Sequence, residues 1–261
     1  MPVPSALTIA GSDSGGGAGL QADLKTFERY GVYGMSAVTL VTAQNRRRMG
    51  QVFLLPSDLV AAQIECAWEE CAPGAIKTGA LGSKAIVEAV VHALKSHHLP
   101  PLVVDPVLVS SSGRKLLEPD GIEALVTQLF PLATLITPNL LEAEVLLQRA
   151  ISADDETQMW EAAHALKRFG PKAVLLKGGH ASGPEAVDFL LDGQTCHRLA
   201  LPRRVGAELH GSGCLLSAAI AARLAWGDSL HKAVEEAKGY VFRQIENILF
   251  PFSAASESNS L

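Results

Sequence analysis

The chain has 261 residues, of which 48% are hydrophobic and 19% are charged. This balance excludes disorder over most of its length, because such a chain can bury a large apolar core. The net charge is −5 and the basic residues are dispersed, which excludes the electrostatic footprint of a nucleic-acid-binding protein. No uncharged apolar run approaches the roughly 18 residues of a membrane helix, so no membrane partner is expected.

Cysteine usage and the first residues predict a cytoplasmic protein. The four cysteines are Cys66, Cys71, Cys196 and Cys214. They show neither CxxC spacing nor a Cys/His zinc pattern, and isolated thiols are typical of a reducing compartment. The start, MPVPSALTIAGS, lacks the basic head and long apolar stretch of a secretory signal, so none is expected. The only basic run, Arg46-Arg47-Arg48, is interpreted as a solvated turn rather than a phosphate-gathering site.

Short β-branched runs alternate with amphipathic segments along the chain. Strands are predicted, in chain order, at Leu7–Ala10, Met35–Val41, Val52–Leu55, Ala75–Lys77 and Leu102–Asp105, and within LITPN (135–139) and AVLLKGG (173–179). Helices are predicted after the glycine loop that follows Ala10, after Pro56, and at Ser83–His98, Ser212–Leu224 and Ser229–Leu249. Two further strands, Val187–Leu191 and Thr195–Leu199, flank Asp192-Gly193 and predict a hairpin.

This alternation predicts an α/β fold with a doubly wound, mostly parallel sheet, helices on both faces and one small hairpin. We expect a single domain over 1–261 with a frayed tail at 253–261. Sheets of this kind bind ligands beyond the carboxyl ends of their strands. The glycine and polar segments of the chain fall there: GSDSGGGAG (11–19), Gln44-Asn45, Asp105, Thr137-Pro138-Asn139 and Lys177-Gly178-Gly179.

The first glycine loop matches neither common nucleotide fingerprint. GxGxxG fails because Leu20 occupies the third glycine place counted from Gly15, and GxxxxGK[ST] is absent. Four glycines nevertheless fill five positions from Gly15 to Gly19, more than a turn needs. We therefore favour backbone approach to a small flat ligand, with Asp13 or Asp23 as its polar anchor. A tight strand-to-helix turn is the alternative.

HGSGC, residues 210–214, is the sharpest local signal. Gly211 and Gly213 free backbone N–H groups at a helix start, where the helix dipole also favours an anion such as a transferring phosphoryl group. Cys214 falls in the first helical turn, a position expected to lower the pKa of its thiol and suit it as a base. The alternative is an ordinary helix start with a buried, inert cysteine.

Four further side chains follow predicted strands. Lys177 suits nucleotide phosphates, and Glu142 suits Mg²⁺ held through water. Asp105 ends an apolar strand, where metal or water ordering explains a carboxylate better than packing does. The Gln44 carboxamide offers an acceptor and a donor side by side, matching the amine and ring nitrogen of an aminopyrimidine. The alternatives are a capping lysine, a solvated helix glutamate and a strand-end glutamine bonded to backbone.

Several motifs together resemble one family. They are ALTIAGSDSGGGAGLQADLKTFERYGVYGMSAVTLVTAQN, TPN…EAE, VLLKGGH and HGSGC…LSAAIAA, spread from about Ala6 to Leu249. They resemble the hydroxymethylpyrimidine/phosphomethylpyrimidine kinases of thiamine biosynthesis, in the ribokinase-like superfamily. The resemblance implies transfer of the ATP γ-phosphate to 4-amino-5-hydroxymethyl-2-methylpyrimidine, and then a second phosphorylation to the diphosphate. It also implies Mg²⁺ and a homodimer.

The resemblance assigns roles to individual positions. The pyrimidine pocket would be formed by Gln44, Asp23, Gly11, Ala80 and Val107. The base would be Cys214, with the amides of Gly211, Ser212, Gly213 and Cys214 forming the anion hole. Asn139 and Lys177 would face ATP, and Asp105 and Glu142 would order Mg²⁺.

The chain departs from the family pattern at three places. Ser110-Ser111-Ser112-Gly113 stands where members usually carry Ala-Lys-Ser-Gly, and Gly206-Ala207-Glu208-Leu209 replaces a polar Thr-Lys-Asn-Thr stretch. The terminal GHGxGP segment is absent after Phe252. Arg114 and Lys115 are candidates to replace the lost lysine. Two alternative functions are a pyridoxal kinase and a pyrimidine-binding protein that has lost phosphoryl transfer.

Overall fold

The structure is a computed structural model that describes residues 3–45, 48–110, 113–179, 182–204, 206 and 209–249. The predicted frayed tail, 253–261, lies outside the described residues, as do Arg46 and Arg47 of the basic run. The strands are β1 (Ser5–Asp13), β2 (Tyr33–Asn45), β3 (Arg48–Leu54), β4 (Ala75–Thr78), β5 (Leu102–Val104), β6 (Leu135–Ile136), β7 (Ala173–Lys177), β8 (Glu185–Asp192) and β9 (Thr195–Pro202).

Helices connect most of these strands. They are α1 (Gly19–Arg29), α2 (Ser57–Glu70), α3 (Lys84–Lys95), α4 (Pro119–Ala124), α5 (Leu140–Leu147), α6 (Glu156–Lys167), α7 (Ser212–Ala225) and α8 (Leu230–Leu249). A π-helical segment (Leu125–Leu129) and a 3₁₀ turn (Phe130–Leu132) follow α4. Within the described ranges, none of the helices combines the length and the apolar run needed to cross a membrane.

The strands form one sheet in the order β3-β2-β1-β4-β5-β6-β7-β8-β9. Six neighbouring strands run parallel, namely β2, β1, β4, β5, β6 and β7. Strand β3 pairs antiparallel with β2 at one end of the sheet, and β8 and β9 add antiparallel pairs at the other. The predicted hairpin is confirmed, since Asp192 pairs with Thr195 across its turn. The mostly parallel sheet predicted from the sequence is therefore confirmed.

Alternate residues of the central strands supply two apolar cores. Leu7, Ile9 and Ile76 face the side covered by α2 to α6, whereas Ala6 and Ala75 face α1, α7 and α8. All three residues of β5 are fully buried, as a central parallel strand requires. The fold thereby brings the carboxyl ends of β1, β4, β5 and β7 to one edge, where α1 and α7 also begin.

Candidate active site

The start of α7 forms one wall of the site. Gly211 precedes the helix with a left-handed φ of 78°, which a glycine adopts without strain. A Cβ at this position would overlap the Gly17 carbonyl oxygen, so the two glycine loops of the sequence pack against each other. The GSGC motif and the GSDSGGGAG loop therefore belong to one site.

Two backbone N–H groups at the start of α7 are available to an anion. The Ser212 N–H donates to the Leu209 carbonyl (3.1 Å), so the expectation that it contributes to an anion hole is wrong for this structure. Among the described residues, the N–H groups of Gly213 and Cys214 have no acceptor, as expected for the first turn of a helix. The predicted anion hole thus loses the Ser212 amide and keeps those of Gly213 and Cys214.

The Cys214 thiol is less acidic than the sequence predicts. Burial, with smaller contributions from Asp23 and Asp105, raises its pKa to about 11, against the opposing effects of Lys77 and the Gly19 backbone N–H. The expected lowering is therefore wrong, because the helix start is outweighed by removal of the thiol from water. At neutral pH the sulfur carries its proton.

Lys177 and Asp105 form a buried ion pair beside these amides. Lys177 Nζ lies 3.2 Å from Asp105 Oδ1, which also accepts a hydrogen bond from Thr137 (3.1 Å), while Ser217 donates to Asp105 Oδ2 (3.2 Å). Burial opposes the charge of Lys177, but Asp105 and Glu142 outweigh it and raise the pKa of the lysine. A Cβ on Gly213 would lie 3.2 Å from Lys177 Nζ, so this glycine leaves room for the ammonium group.

Glu142 and Asn139 close the other side of Lys177. They form a capping box at the start of α5: Asn139 Oδ1 accepts from the Glu142 N–H (2.8 Å), and Glu142 Oε2 accepts from the Asn139 N–H (2.9 Å). Burial raises the pKa of Glu142 to about 7, although Lys177 lowers it. The side-chain oxygen of Asn139 is thus bonded to the start of α5, while the Glu142 carboxylate interacts electrostatically with Lys177.

The acidic groups fit a hydrated magnesium ion. Among the described residues there is no cluster of three or more metal-ligating side chains. Asp105 and Glu142 both lie near Lys177, however, and a carboxylate offers about four lone-pair sites, of which the contacts of each use only part. Mg²⁺ keeps several waters and needs only one or two carboxylates, so this pair fits the ion through water.

The first glycine loop is held by Asp13. Its carboxylate accepts hydrogen bonds from the N–H groups of Gly15 (2.8 Å), Gly17 (3.0 Å) and Ala18 (2.8 Å). These three amides are therefore satisfied within the loop. Asp13 is a loop anchor rather than a ligand anchor, and His210 Nε2 lies 3.6 Å from it.

Gly11 and Gln44 lie in the last residues of β1 and β2, whereas Ala80 and Val107 lie in the loops after β4 and β5. A Cβ on Gly11 would lie 2.6 Å from the Leu40 side chain and 3.7 Å from the Ala80 Cβ, so Gly11 and Ala80 are adjacent. Gln44 is half-buried in β2, and its backbone N–H and carbonyl both bond to the Ser14 hydroxyl (2.8 Å each). Its carboxamide has no hydrogen-bond partner in the described part of the chain. Val107 is partly exposed and lies three residues after the end of β5.

Asp23 lies beneath this edge and does not reach solvent. Its carboxylate accepts two hydrogen bonds from Lys77 Nζ (2.9 and 2.7 Å) and one from Thr8 (2.6 Å), and both charged side chains are 0% exposed. Sequence reasoning assigned Asp23 to the pyrimidine pocket and missed Lys77. The available signal was a lysine ending an otherwise apolar strand.

The departures from the family pattern are only partly described. Ser111 and Ser112, and Ala207 and Glu208, lie outside the described residues. Arg114, a candidate to replace the lost lysine, donates through its guanidinium to the Gly50 carbonyl, which ties the loop after β5 to β3.

Comparison with known proteins identifies the family. The sequence model of phosphomethylpyrimidine kinase matches residues 13–255. The chain belongs to the phosphomethylpyrimidine kinase family. It is 47% identical over 240 residues to the hydroxymethylpyrimidine/phosphomethylpyrimidine kinase of Rhizobium meliloti (strain 1021), covering 92% of this chain and 90% of the relative.

Solved structures of other kinases share the fold of this phosphomethylpyrimidine kinase family member. Phosphomethylpyrimidine kinase from Clostridium difficile 630 has a TM-score of 0.81 and 41% identity, covering 93% of this chain and 99% of that one. Pyridoxal kinase from Staphylococcus aureus, in complex with AMP-PCP and pyridoxal, has a TM-score of 0.86 and 36% identity, covering 95% and 89%. The predicted family, kinase class and ribokinase-like fold are confirmed.

Proposed function

We propose that this kinase transfers the γ-phosphoryl group of ATP to the hydroxymethyl group of 4-amino-5-hydroxymethyl-2-methylpyrimidine and then phosphorylates the monophosphate to the diphosphate. One observation carries the proposal: the amides of Gly213 and Cys214, which have no acceptor among the described residues, lie beside the Lys177 ammonium group at the carboxyl-end edge of the sheet. Family relatives named for both phosphorylations support it.

At the phosphate end, the migrating group would rest against the Gly213 and Cys214 amides. Positive charge from the α7 dipole and from Lys177 stabilises the equatorial oxygens, which carry the charge in the transition state. Asn139, at the start of α5, would border ATP on the far side of Lys177. Mg²⁺ held through water by Asp105 and Glu142 would neutralise the bridging phosphate oxygens.

At the acceptor end, Gln44 would pair with the amine and ring nitrogen of the pyrimidine, in a pocket floored by Gly11 and lined by Ala80 and Val107. The thiolate form of Cys214 would take the proton of the primary alcohol. The alcohol oxygen bonds to the γ-phosphorus as the bond from that phosphorus to the bridging oxygen breaks, and ADP leaves.

The second step places a different demand on the site. Its nucleophile is a phosphate oxygen of the monophosphate, already anionic near neutral pH because the second pKa of such an ester is about 6. It therefore has little need of a base, while the anion site and Lys177 serve both steps.

Phosphorus NMR tests the proposal directly. With ATP, Mg²⁺ and the pyrimidine alcohol, we expect a monophosphate ester signal to appear first and a diphosphate ester signal to grow from it. Binding of the pyrimidine with no consumption of ATP would instead show a binding protein that has lost transfer, and the proposal would fall.

Pyridoxal phosphorylation is the second candidate, favoured by the likeness to the Staphylococcus aureus pyridoxal kinase. Gln44 supports the pyrimidine, because its paired donor and acceptor suit an amino-substituted ring better than a phenolic one. Comparing kcat/KM for the two alcohols separates the candidates, and we expect the pyrimidine alcohol to have the higher value.

We further propose a cytoplasmic homodimer built from a single kinase domain over 1–261. The continuous nine-stranded sheet supports one domain, and the isolated thiols support a reducing compartment. Exposed apolar side chains at the β2–β3 end of the sheet support self-association.

A further inference from the structure

A complete ion pair lies in the core under the candidate active site. Lys77 is the penultimate residue of β4, and its ammonium group donates two hydrogen bonds to Asp23 in α1, with no solvent exposure of either side chain. Desolvating two charges is costly, and apolar residues of similar volume often give equal or greater stability. The fold retains the charges of Lys77 and Asp23 despite this cost, so they are expected to act on a nearby group.

The pair lies close enough to Cys214 for the charges of both Lys77 and Asp23 to act on its sulfur. Gly19, the first residue of α1, lies beside this sulfur, and Asp23 follows four residues later on the same face of that helix. One turn of an α-helix rises about 5.4 Å, which sets the depth of Asp23 beneath Gly19. Helix α7, which carries Cys214, packs on both α1 and β4.

Close packing around the ion pair holds the Lys77 ammonium group in place. Thr8 of β1 donates to Asp23 (2.6 Å), and Gly79 leaves space that a Cβ would fill at 3.1 Å from Lys77 Nζ. The Lys77 side chain is therefore held in the core, unlike that of a surface lysine. Its positive charge stays next to the site.

We propose that Lys77 is a positioning residue whose fixed positive charge stabilises the anionic form of the Cys214 sulfur. The inference rests on the proposed function in taking Cys214 as the base. Without Lys77, a buried thiolate would face the carboxylates of Asp23 and Asp105, and Lys177 would be the remaining cation near it. Asp23 holds Lys77 in its charged form and in place, so it serves the sulfur indirectly rather than touching the pyrimidine.

The charges around the sulfur act in opposite directions. Lys77 lowers the pKa of the Cys214 thiol, whereas Asp23 and Asp105 raise it. Lys177 is the other cation within reach, and it is already paired with Asp105. Removing Lys77 and removing Asp23 should therefore change the reactivity of Cys214 with opposite signs.

Alkylation by iodoacetamide tests this in the full-length protein without substrate. The rate at Cys214 is measured by peptide-resolved mass spectrometry between about pH 7 and 9, below its pKa, with the exposed Cys66 as internal reference. We expect Lys77→Met to slow alkylation of Cys214 about threefold to tenfold and Asp23→Asn to accelerate it. Thr8→Val, which removes a hydrogen bond to Asp23 but no charge, is the matched control and should not slow it.

Loosening of the fold exposes the thiol and accelerates alkylation, so a slower reaction cannot arise from partial unfolding. If Lys77→Met alone does not fold, Lys77→Met combined with Asp23→Leu removes both charges and should still slow the reaction, because Lys77 outweighs Asp23. An unchanged or faster rate in the folded lysine variants overturns the inference. Because no substrate is used, this result stands apart from the phosphorus NMR assay, which alone decides the proposed function.

Discussion

Substitution of Cys214 should affect the rates of the two phosphorylation steps differently. Its thiolate would accept the proton of an alcohol, whereas a phosphate oxygen needs no such help. Cys214→Ala should slow phosphorylation of the pyrimidine alcohol by about 10²- to 10⁴-fold, the usual range for loss of a general base, and should slow the monophosphate step far less. Single-turnover assays on each acceptor measure both rates, with Cys66→Ala as a control on an exposed cysteine. Equal losses in the two steps would reject the base assignment.

The raised pKa of Cys214 predicts a pH dependence. Burial holds this pKa at about 11, above its ordinary value of 9.0, so the thiolate fraction grows about tenfold for each pH unit below 11. The rate of alcohol phosphorylation should rise across about pH 7 to 9, while the monophosphate step stays flatter. Because the folded state favours the protonated thiol, its contribution to stability is complete below pH 9.0 and is lost toward pH 11. A flat profile for the alcohol would contradict the thiolate mechanism; in Cys214→Ala the slope should disappear.

At the scale of the element, the start of α5 combines a helix cap with part of the site. Asn139→Ala removes the hydrogen bond to the Glu142 N–H and should lower the free energy of unfolding by about 1 kcal/mol, measured by urea denaturation. Asn139→Ser keeps a capping oxygen, so it should restore most of the stability. If Asn139 also borders ATP, the KM for ATP stays raised in Asn139→Ser.

The matched control for that experiment is the cap of α6. Asp155 accepts from the N–H groups of Thr157 and Gln158 at the start of α6, and in the described part of the chain its carboxylate bonds only to residues of that helix. Asp155→Ala should destabilise the protein without raising the KM for ATP. A raised KM in this variant would show that any loss of stability affects nucleotide binding, and the assignment of Asn139 to ATP would fail.

Elements with a strong local pattern were predictable from the sequence. The nine strands and the helices α1, α2, α3, α7 and α8 overlap their predicted segments, because apolar periodicity and glycine or proline boundaries are local properties. The helices α4, α5 and α6 were not among the predicted segments, and the shortest of them, α4, is six residues long, begins at Pro119 and continues into π-helical and 3₁₀ turns. So short a helix has too few turns to show an amphipathic period.

The parts of the site that depend on three-dimensional surroundings were not predictable. Lys77 and Asp23 lie 54 positions apart, and nothing local joins a lysine at a strand end to an aspartate within a helix. The direction of the Cys214 pKa shift was wrong because the sequence shows a helix start but not the burial of the thiol. Asp105 and Lys177 were singled out because charged residues directly after apolar strands stand out in the sequence, and the structure pairs them.

At the scale of the whole molecule, the apolar surface at the β2–β3 end of the sheet bears on the proposed homodimer. Val41 and Phe53 pair across these antiparallel strands and share a face, and Phe53 is 69% exposed. Exposed apolar residues grouped in this way are typical of protein contacts.

Light scattering after size-exclusion chromatography should give twice the 27.5 kDa chain mass for the native protein and the single mass for Phe53→Lys. Trp160→Lys, at an exposed aromatic residue on α6, should remain dimeric. A native protein at 27.5 kDa would reject the homodimer, and a dimeric Phe53→Lys would move the interface away from this end of the sheet.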